Sequence, residues 1–251
     1  MKDEVEYSLK LPTATGHSSL SLRVPREPMR LADLVPLAQR FTNLVVESSV
    51  RLEEREGRAI SCRAGCGACC RQIVPVSAPE AFRLADHLIG LDDATRDAFL
   101  ARFDDVERAL DAAGMIARLD ALSSGALPAK DRGALAADYF GLTLACPMLI
   151  DESCAVHAER PLSCRDYNVT TPAAWCASPP LYQIRKVPTA PLLSEPLARV
   201  TAKLTGAAKE LIPLSLSLRW VDAHAELGMR EWPGTTLFEA WLVELDVAGR
   251  A

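Results

Sequence analysis

Apolar and polar side chains alternate along two short runs near the N-terminus. The runs are VEYSLKLP and SSLSLRVP, and the residues between them, TATGH, are typical of a turn. Successive side chains of a strand point to opposite sides, so a period of two indicates a strand with one buried face. We therefore predict a short β-hairpin at the start of the chain.

The apolar spacing then changes to the helical period. We predict a helix from Leu31 to about Glu54, with Pro36 in its first turn, where proline is tolerated. The apolar face of this helix comprises Leu34, Leu37, Phe41, Val45 and Val46.

Capping signals indicate further helices. Ser77 and Glu80 have the spacing of a capping box, which predicts a helix that ends at about Ile89. Another helix is predicted from about Ala94 to Leu122. This helix is predicted to end before SSGALP. That segment favours a loop and an internal boundary, together with Pro128, Lys130, Asp131 and Gly133.

The C-terminal part is predicted to contain three helical segments. Ser194 is suited to cap the first, and Pro213 separates it from the second. A Pro-Gly turn precedes the third, for which Thr236 and Glu239 have the spacing of a capping box.

Two stretches in the middle of the chain have little helical character. From Leu142 to Val169 the pattern is short and broken by the turn residues DES, which predicts a small hairpin, and the stretch from Trp175 to Pro191 is rich in proline. We expect a mainly α fold with a small β-hairpin element around the cysteines, packed as one compact domain. Its parts are an N-terminal hairpin and helix (1–58), a cysteine-rich region (59–180) and a C-terminal helical region (181–251).

Composition and charge exclude several classes of function. The net charge of -5 and the pI of about 5.5 give no overall attraction to nucleic acid or to an anionic membrane. No uncharged apolar stretch is long enough to span a bilayer, and MKDEVEYSLK lacks the apolar run of a secretory signal. We therefore expect a cytoplasmic protein that binds neither nucleic acid nor membrane. In a reducing compartment, cysteines favour metal or redox roles over stable disulfides.

Seven of the eight cysteines fall into two groups. The first group has the spacing C-x3-C-x2-C-C, and chance does not readily place four cysteines within nine residues. Thiolates that lie close together are good ligands for soft metals. The two groups together predict one metal site, whose ligands are Cys62, Cys66, Cys69, Cys70, Cys146, Cys154 and Cys164.

Several neighbours of the cysteines suit such a site. Thiolates around a divalent ion leave net negative charge, which guanidinium groups offset. His157 and Cys176 are further candidate ligands. The residues predicted to surround the ligands are Arg63, Arg71, Arg160, Arg165 and Tyr167.

The segments CRAGCGACC and CPMLIDESCAVHAERPLSCRDYN resemble the motifs of the bacterial YkgJ-type cysteine-cluster proteins, a family described as zinc- or iron-chelating. The resemblance covers Cys62 to about Asn168, which is less than half of the chain, and it implies metal binding by the seven matched cysteines. The cluster also resembles that of flagellin lysine methylases, which keeps an enzyme among the alternatives. The matched positions after the first group are Cys146, Pro147, Leu149, Cys154, Val156, His157, Arg160, Pro161, Cys164 and Arg165.

Three hypotheses follow for the chemistry of the cysteines. A zinc ion takes four ligands in a closed tetrahedron, so two ions, with His157 as the eighth ligand, would use all of them. An iron–sulfur cluster needs four thiolates and would suit an oxidoreductase or another cluster-dependent enzyme. A metal-free thiol redox protein is disfavoured, because a disulfide between Cys69 and Cys70 would strain the peptide and no thioredoxin-like pattern surrounds them. The sequence thus predicts a zinc- or iron-binding protein, and it leaves any catalytic activity, substrate, protein partner and oligomeric state open.

Overall fold

The computed structural model describes residues 3–177, 182–189 and 194–249. Within these ranges the chain is mainly helical, and its strands form two-stranded antiparallel sheets. The predicted mainly α fold with a minor β component is therefore confirmed. No helix in the described part of the chain is long and apolar enough to cross a membrane.

The N-terminal strands form the predicted hairpin. Strands β1 (Glu4–Thr13) and β2 (Gly16–Pro25) pair along their whole lengths. Leu22 and Val24 are buried, whereas Arg23 between them is exposed, as the alternating pattern requires. The buried face contacts the C-terminal helix of the chain.

One hydrophobic core joins the two ends of the chain. A 3-10 turn at Leu31–Leu34 leads into α1 (Val35–Arg55), which has Pro36 in its first turn, as predicted. The ring centroids of Phe41 in α1 and Trp241 in the C-terminal helix lie 5.7 Å apart, and the Trp241 side chain is completely buried. The core therefore depends on residues that are about 200 positions apart in sequence.

Helix α2 (Ala78–Ile89) begins at the predicted capping box. The carboxylate of Glu80 accepts hydrogen bonds from the backbone N–H of Ser77 (2.8 Å) and from the Ser77 hydroxyl (2.6 Å). It also accepts from the backbone N–H of Leu162 (2.8 Å) and from the hydroxyl of Ser194 (3.4 Å). Burial raises the pKa of Glu80 above its usual value. This one buried carboxyl group joins three separate parts of the chain.

The single helix predicted from about Ala94 to Leu122 is wrong. The chain forms two helices here, α3 (Asp93–Ala112) and α4 (Ile116–Ser123). Between them Gly114 has a φ of 65°, a left-handed conformation that glycine adopts readily and other residues avoid. Gly114 therefore ends the first helix, although strong helix formers continue on both sides of it.

The loop predicted over SSGALP and on to Gly133 is present at residues 124–128 but is wrong beyond them, because a helix begins at Ala129. Pro128 is the N-cap of α5 (Ala129–Gly141), so the proline begins a helix instead of marking a loop. Leu135 and Tyr139 of this helix are buried with residues of α3 and α4 in a second, smaller apolar cluster. The period of these apolar positions outweighs the local preference of Gly133 for a loop.

The segment between α5 and the C-terminal helices consists of short elements. It contains the predicted hairpin of β5 (Leu149–Ile150) and β6 (Ser153–Cys154), followed by α6 (Leu162–Asp166) and a 3-10 turn at Ala173–Ala177. The stretch from Trp175 to Pro191, predicted to be irregular, lies partly outside the described residues.

The C-terminal helices are α7 (Ser194–Thr205), α8 (Ser217–Ala223), α9 (Ala225–Met229) and α10 (Gly234–Gly249). The capping box predicted at Thr236 does not form, because α10 already begins at Gly234.

Four further short strands, in two pairs, connect these helices with the rest of the fold. Strand β3 (Pro28–Arg30) pairs with β8 (Glu231–Pro233), and β4 (Pro75–Val76) pairs with β7 (Ile212–Pro213). Pro213, which lies in β7, separates α7 from α8 as predicted.

Candidate metal centre

The first cysteine group lies on a loop of consecutive tight turns. The backbone N–H of Cys66 donates to the carbonyl oxygen of Arg63 (3.2 Å), and that of Cys70 donates to the carbonyl oxygen of Gly67 (3.0 Å). Gly65 has a φ of 76°, which permits the tight change of direction within the first turn. The cysteines are therefore presented by turns and not by one face of a helix.

The second group begins on the hairpin of β5 and β6. Cys154 is the last residue of β6, and Cys146 precedes β5. The backbone N–H of Cys146 donates to the carbonyl oxygen of Cys70 at 2.7 Å. This bond connects the two cysteine groups directly through their backbones.

The remaining cysteines come from two short helical turns. Cys164 lies in α6, which packs against α1. Cys176 lies in the 3-10 turn at Ala173–Ala177, and its carbonyl oxygen accepts a hydrogen bond from the amide group of Gln72 (3.2 Å). The first cysteine loop is thereby connected to the segment that carries Cys176.

These four segments enclose a cavity of about 230 Å³. No aspartate or glutamate lies among its lining residues. Cys146 does not line the cavity. Besides burial, which is the larger cause, the nearby Cys154 raises the pKa of Cys146, and Cys146 in turn raises the pKa of Cys164. The cysteines that line the cavity are Cys62, Cys66, Cys69, Cys70, Cys154, Cys164 and Cys176.

The environment of the thiols disfavours their ionisation in the metal-free protein. Burial raises the pKa of Cys146 to about 12 and also raises the pKa of Cys154 and of Cys164. The pKa of Cys69 is also raised, mainly by a hydrogen bond with Cys70 and to a smaller extent by burial. A bound metal ion reverses this preference, because coordination favours the thiolate and releases the proton.

Arg160 is the predicted arginine that lies among the thiols. Its guanidinium lowers the pKa of Cys62 and Cys154 against the effect of burial, and it is the largest cause of the lowered pKa of His157. Its Nε atom is buried and has no hydrogen-bond partner among the described residues. A buried N–H without a partner is costly, so this atom suits a negatively charged neighbour such as a metal-bound thiolate.

The other three predicted arginines have different surroundings. Arg165 is buried and donates to the carbonyl oxygen of Arg160 (2.9 Å) and to Oδ1 of Asn43 (3.1 Å), so it holds the backbone before α6. Arg71 pairs with Glu152 at the hairpin turn (2.6 Å). Arg63 is exposed at the rim of the cavity.

The three remaining candidates, Tyr167, Cys176 and His157, also line the cavity. A hydrogen bond between the Tyr167 hydroxyl and the Cys176 sulfur lowers the pKa of Cys176, although burial has the larger, raising effect. His157 is exposed, in contrast to the partly buried cysteines. The sequence did not indicate Gln72 or Glu152, which connect the segments of the site. Neither residue belongs to a metal-ligand pattern, and only their contacts show their role.

The donor chemistry of the cavity fits a soft metal, but the conformation is open. In the part of the chain that the structure describes, no group of three or more Cys, His, Asp or Glu side chains could hold a metal ion as placed. The thiols surround the cavity without converging on one point. Rotation about the cysteine χ1 angle moves each sulfur without moving the backbone, so thiols that line the same cavity can converge on one ion.

A comparison with protein families agrees with this geometry. The model of the CxxCxxCC family, described as a "putative zinc- or iron-chelating domain", matches residues 61–179. This segment is thus similar to the CxxCxxCC family. The matched segment contains all eight cysteines, including Cys176. Searches of curated proteins and of solved structures find no match. The CxxCxxCC domain thus supports zinc or iron as the partner of this chain.

Proposed function

We propose that the chain binds zinc or iron in one centre, held by thiolates from both cysteine groups. The observation that carries the proposal is the shared cavity, which thiols from four separate chain segments line. Thiols that served only as small apolar side chains would have no reason to meet in a cavity that also contains the half-buried guanidinium of Arg160.

The charges around the cavity support thiolate ligands over carboxylate ligands. The lining has no carboxylate, whereas the unpartnered Nε of Arg160 lies beside the thiols. Several thiolates on one divalent ion carry net negative charge, which Arg160 would offset. The proposed ligands are Cys62, Cys66, Cys69, Cys70, Cys146, Cys154 and Cys164, with Cys176 as an eighth.

Eight thiols exceed the four that either a single tetrahedral zinc ion or one iron–sulfur cluster requires. Two zinc ions would use all eight, whereas one cluster would leave four thiols around it. The exposed position of His157 favours Cys176 over His157 as the eighth ligand. When bound, the metal would add a direct link between the segments that carry the two cysteine groups.

The test is the metal content of the full chain, purified without oxygen and without a metal-binding tag. We expect one or two zinc or iron ions per chain, or, if an iron–sulfur cluster is present, two or four iron atoms with acid-labile sulfide and a brown colour. Cys69→Ser and Cys154→Ser should each lower the metal content.

The matched control is Ala155→Ser, which places the same new side chain one position away from Cys154 at an exposed site. It should keep the wild-type metal content. Full metal content in both cysteine variants would refute a centre shared by the two groups.

A further inference from the structure

An ion pair between Arg71 and Glu152, neither of which is a candidate metal ligand, joins the two cysteine groups. The Nη2 atom of Arg71 donates to Oε1 of Glu152 at 2.6 Å, and its Nη1 atom donates to Oε2 of Glu152 at 3.2 Å. Nη1 also donates to the carbonyl oxygen of Gly67 at 3.1 Å. One guanidinium therefore holds both the cysteine loop and the hairpin turn.

The backbone of the hairpin turn is strained at this point. Asp151 and Glu152 have φ angles of 47° and 58°, in the left-handed region that favours glycine or asparagine. A strained conformation persists where surrounding contacts enforce it. The contact that Glu152 makes is the ion pair with Arg71, and glycine in its place would lack it.

The cysteine loop is shaped to receive Glu152. A Cβ atom at Gly67 would lie 2.6 Å from Oε2 of Glu152 and 2.7 Å from Cδ1 of Leu149. Any other residue at this position would displace the carboxylate from Arg71. The second glycine of CRAGCGACC thus permits close approach of the two groups, in addition to loosening the loop.

The ion pair lies at the opening of the site and is accessible to solvent. Glu152 is half exposed, with 55% of its side-chain surface accessible, and Arg71 is 27% exposed. Both residues line a wide surface groove that also borders Cys62 and Cys66, two of the cysteines of the cavity. Exposed ion pairs are weak, so this one can open without unfolding the protein.

We infer that Glu152 is a positioning residue for the metal centre: its ion pair with Arg71 holds the two cysteine groups together, and opening of this pair lets the metal enter and leave. This inference rests on the proposed centre shared by both groups. The inference explains why Glu152 occupies a left-handed turn position that glycine would adopt more readily.

The test compares variants of the turn in the full chain loaded with Zn²⁺ without oxygen. Glu152→Gln removes the charge and keeps the shape, and Glu152→Gly removes the side chain and relieves the backbone strain. We expect both to release Zn²⁺ to an excess of a coloured chelator about fivefold faster than the wild type. Metal-free Glu152→Gly should melt at the wild-type temperature or higher, because glycine suits the left-handed conformation.

Two control variants separate the ion pair from general effects. Asp151→Gly relieves strain in the same turn but leaves the ion pair intact. Asp138→Asn on α5 breaks an ion pair of similar exposure with Arg118 on α4, away from the cysteines. Both should release Zn²⁺ at the wild-type rate. Equal release by wild type and Glu152→Gln, or faster release by Asp151→Gly, would overturn the inference. The inference would also be overturned if Glu152→Gly released Zn²⁺ faster and its metal-free form melted at a lower temperature than the wild type. That combination would mean that the substitution destabilises the fold as a whole.

A second measurement does not depend on metal. Alkylation of Cys146 and Cys154 by iodoacetamide in the metal-free chain, followed by peptide mass spectrometry, reports how often the two groups separate. Faster labelling in Glu152→Gln than in the wild type supports the ion pair's role, and equal labelling contradicts it. A wild-type chain that takes up no Zn²⁺, iron or iron–sulfur cluster would refute the proposed metal centre, while the labelling would still test the ion pair.

Discussion

The hydrophobic core and the cysteine-rich segment are stabilised in different ways. In the core, large side chains such as Trp241, Phe238 and Leu34 are completely inaccessible to solvent. In residues 61–74 and 144–177 the seven predicted ligands are only partly buried, and much of the backbone runs in turns. Apolar burial alone can hold the first region together, whereas the second region has a donor set that a metal would cross-link.

The contrast is not absolute, because the two regions share contacts. Met148, Val156 and Leu162 from the cysteine-rich segment belong to the main core. The core therefore provides a fixed base for the hairpin and for α6, and the cysteine loop closes over them. We expect the core to fold without metal and the loop to depend on it.

The largest effect is expected from Trp241→Ala. Removal of this buried ring, which contacts Phe41 and Phe238, should lower the free energy of unfolding by about 3–5 kcal/mol. The metal content per folded molecule should not change. Urea denaturation and metal analysis of the folded fraction test both statements.

Trp241→Phe is the matched control for this variant. It keeps most of the apolar volume and removes an indole N–H that is buried without a partner among the described residues. Its effect should therefore be much smaller. Loss of metal from a folded Trp241→Ala variant would show that the two regions are not separable.

Removal of the metal should have the next largest effect. At a free ion concentration a hundredfold above Kd, binding stabilises the folded state by about 2.7 kcal/mol. Hydrogen exchange should become faster in residues 61–74 and 149–177 and stay unchanged in α1 and α10. Re-addition of the ion should restore the slow exchange. Uniformly faster exchange throughout the chain would mean that the core also depends on the metal.

A buried carboxyl group at the border of the two regions predicts a pH dependence. Burial, with a smaller contribution from Glu80, raises the pKa of Asp166 to about 6. The folded state then holds a proton that the unfolded state has released, so stability is lost as the pH rises from about 4 to about 6. We expect a loss of about 2 kcal/mol over this range, which Asp166→Asn should remove.

Thermal melting of the metal-free chain at several pH values measures this effect. Wild type and Asp166→Asn should have equal stability near pH 3.5, and the variant should be more stable at pH 7. The same slope in both proteins would show that Asp166 does not titrate in this range.

The sequence predicted those features that depend on local or periodic patterns. The N-terminal hairpin, α1 and the capping box at Ser77 follow from spacing alone and are present in the structure. The break at Gly114 and the helix after Pro128 were missed, because glycine and proline are permitted at helix ends as well as in loops.

For the site, the sequence identified the cysteines but not what brings them together. Spacing within CRAGCGACC indicated a cluster, whereas the approach of Cys146 to Cys70 depends on a backbone hydrogen bond between distant segments. The role of Gly67 likewise depends on Glu152, which lies 85 positions away in the chain. Such pairings depend on tertiary packing, about which one sequence holds no direct signal.

The smallest effect is expected from Arg160→Gln. This variant sharpens the comparison of the two regions because it should weaken metal binding but should not destabilise the metal-free protein. With metal bound, loss of the positive charge beside the thiolates should weaken binding about fivefold, or about 1 kcal/mol. Without metal, the same change removes a buried N–H that has no partner among the described residues, so stability should stay equal or rise. Chelator competition measures the affinity for the metal, and urea denaturation of the metal-free chain measures its stability.

Arg63→Gln is the matched control at the exposed rim and should change neither the affinity nor the stability. Equal weakening by both variants would mean that the general positive potential of the rim matters and that the buried position of Arg160 does not. Weakening by Arg160→Gln alone would show that this guanidinium acts on the thiolates directly.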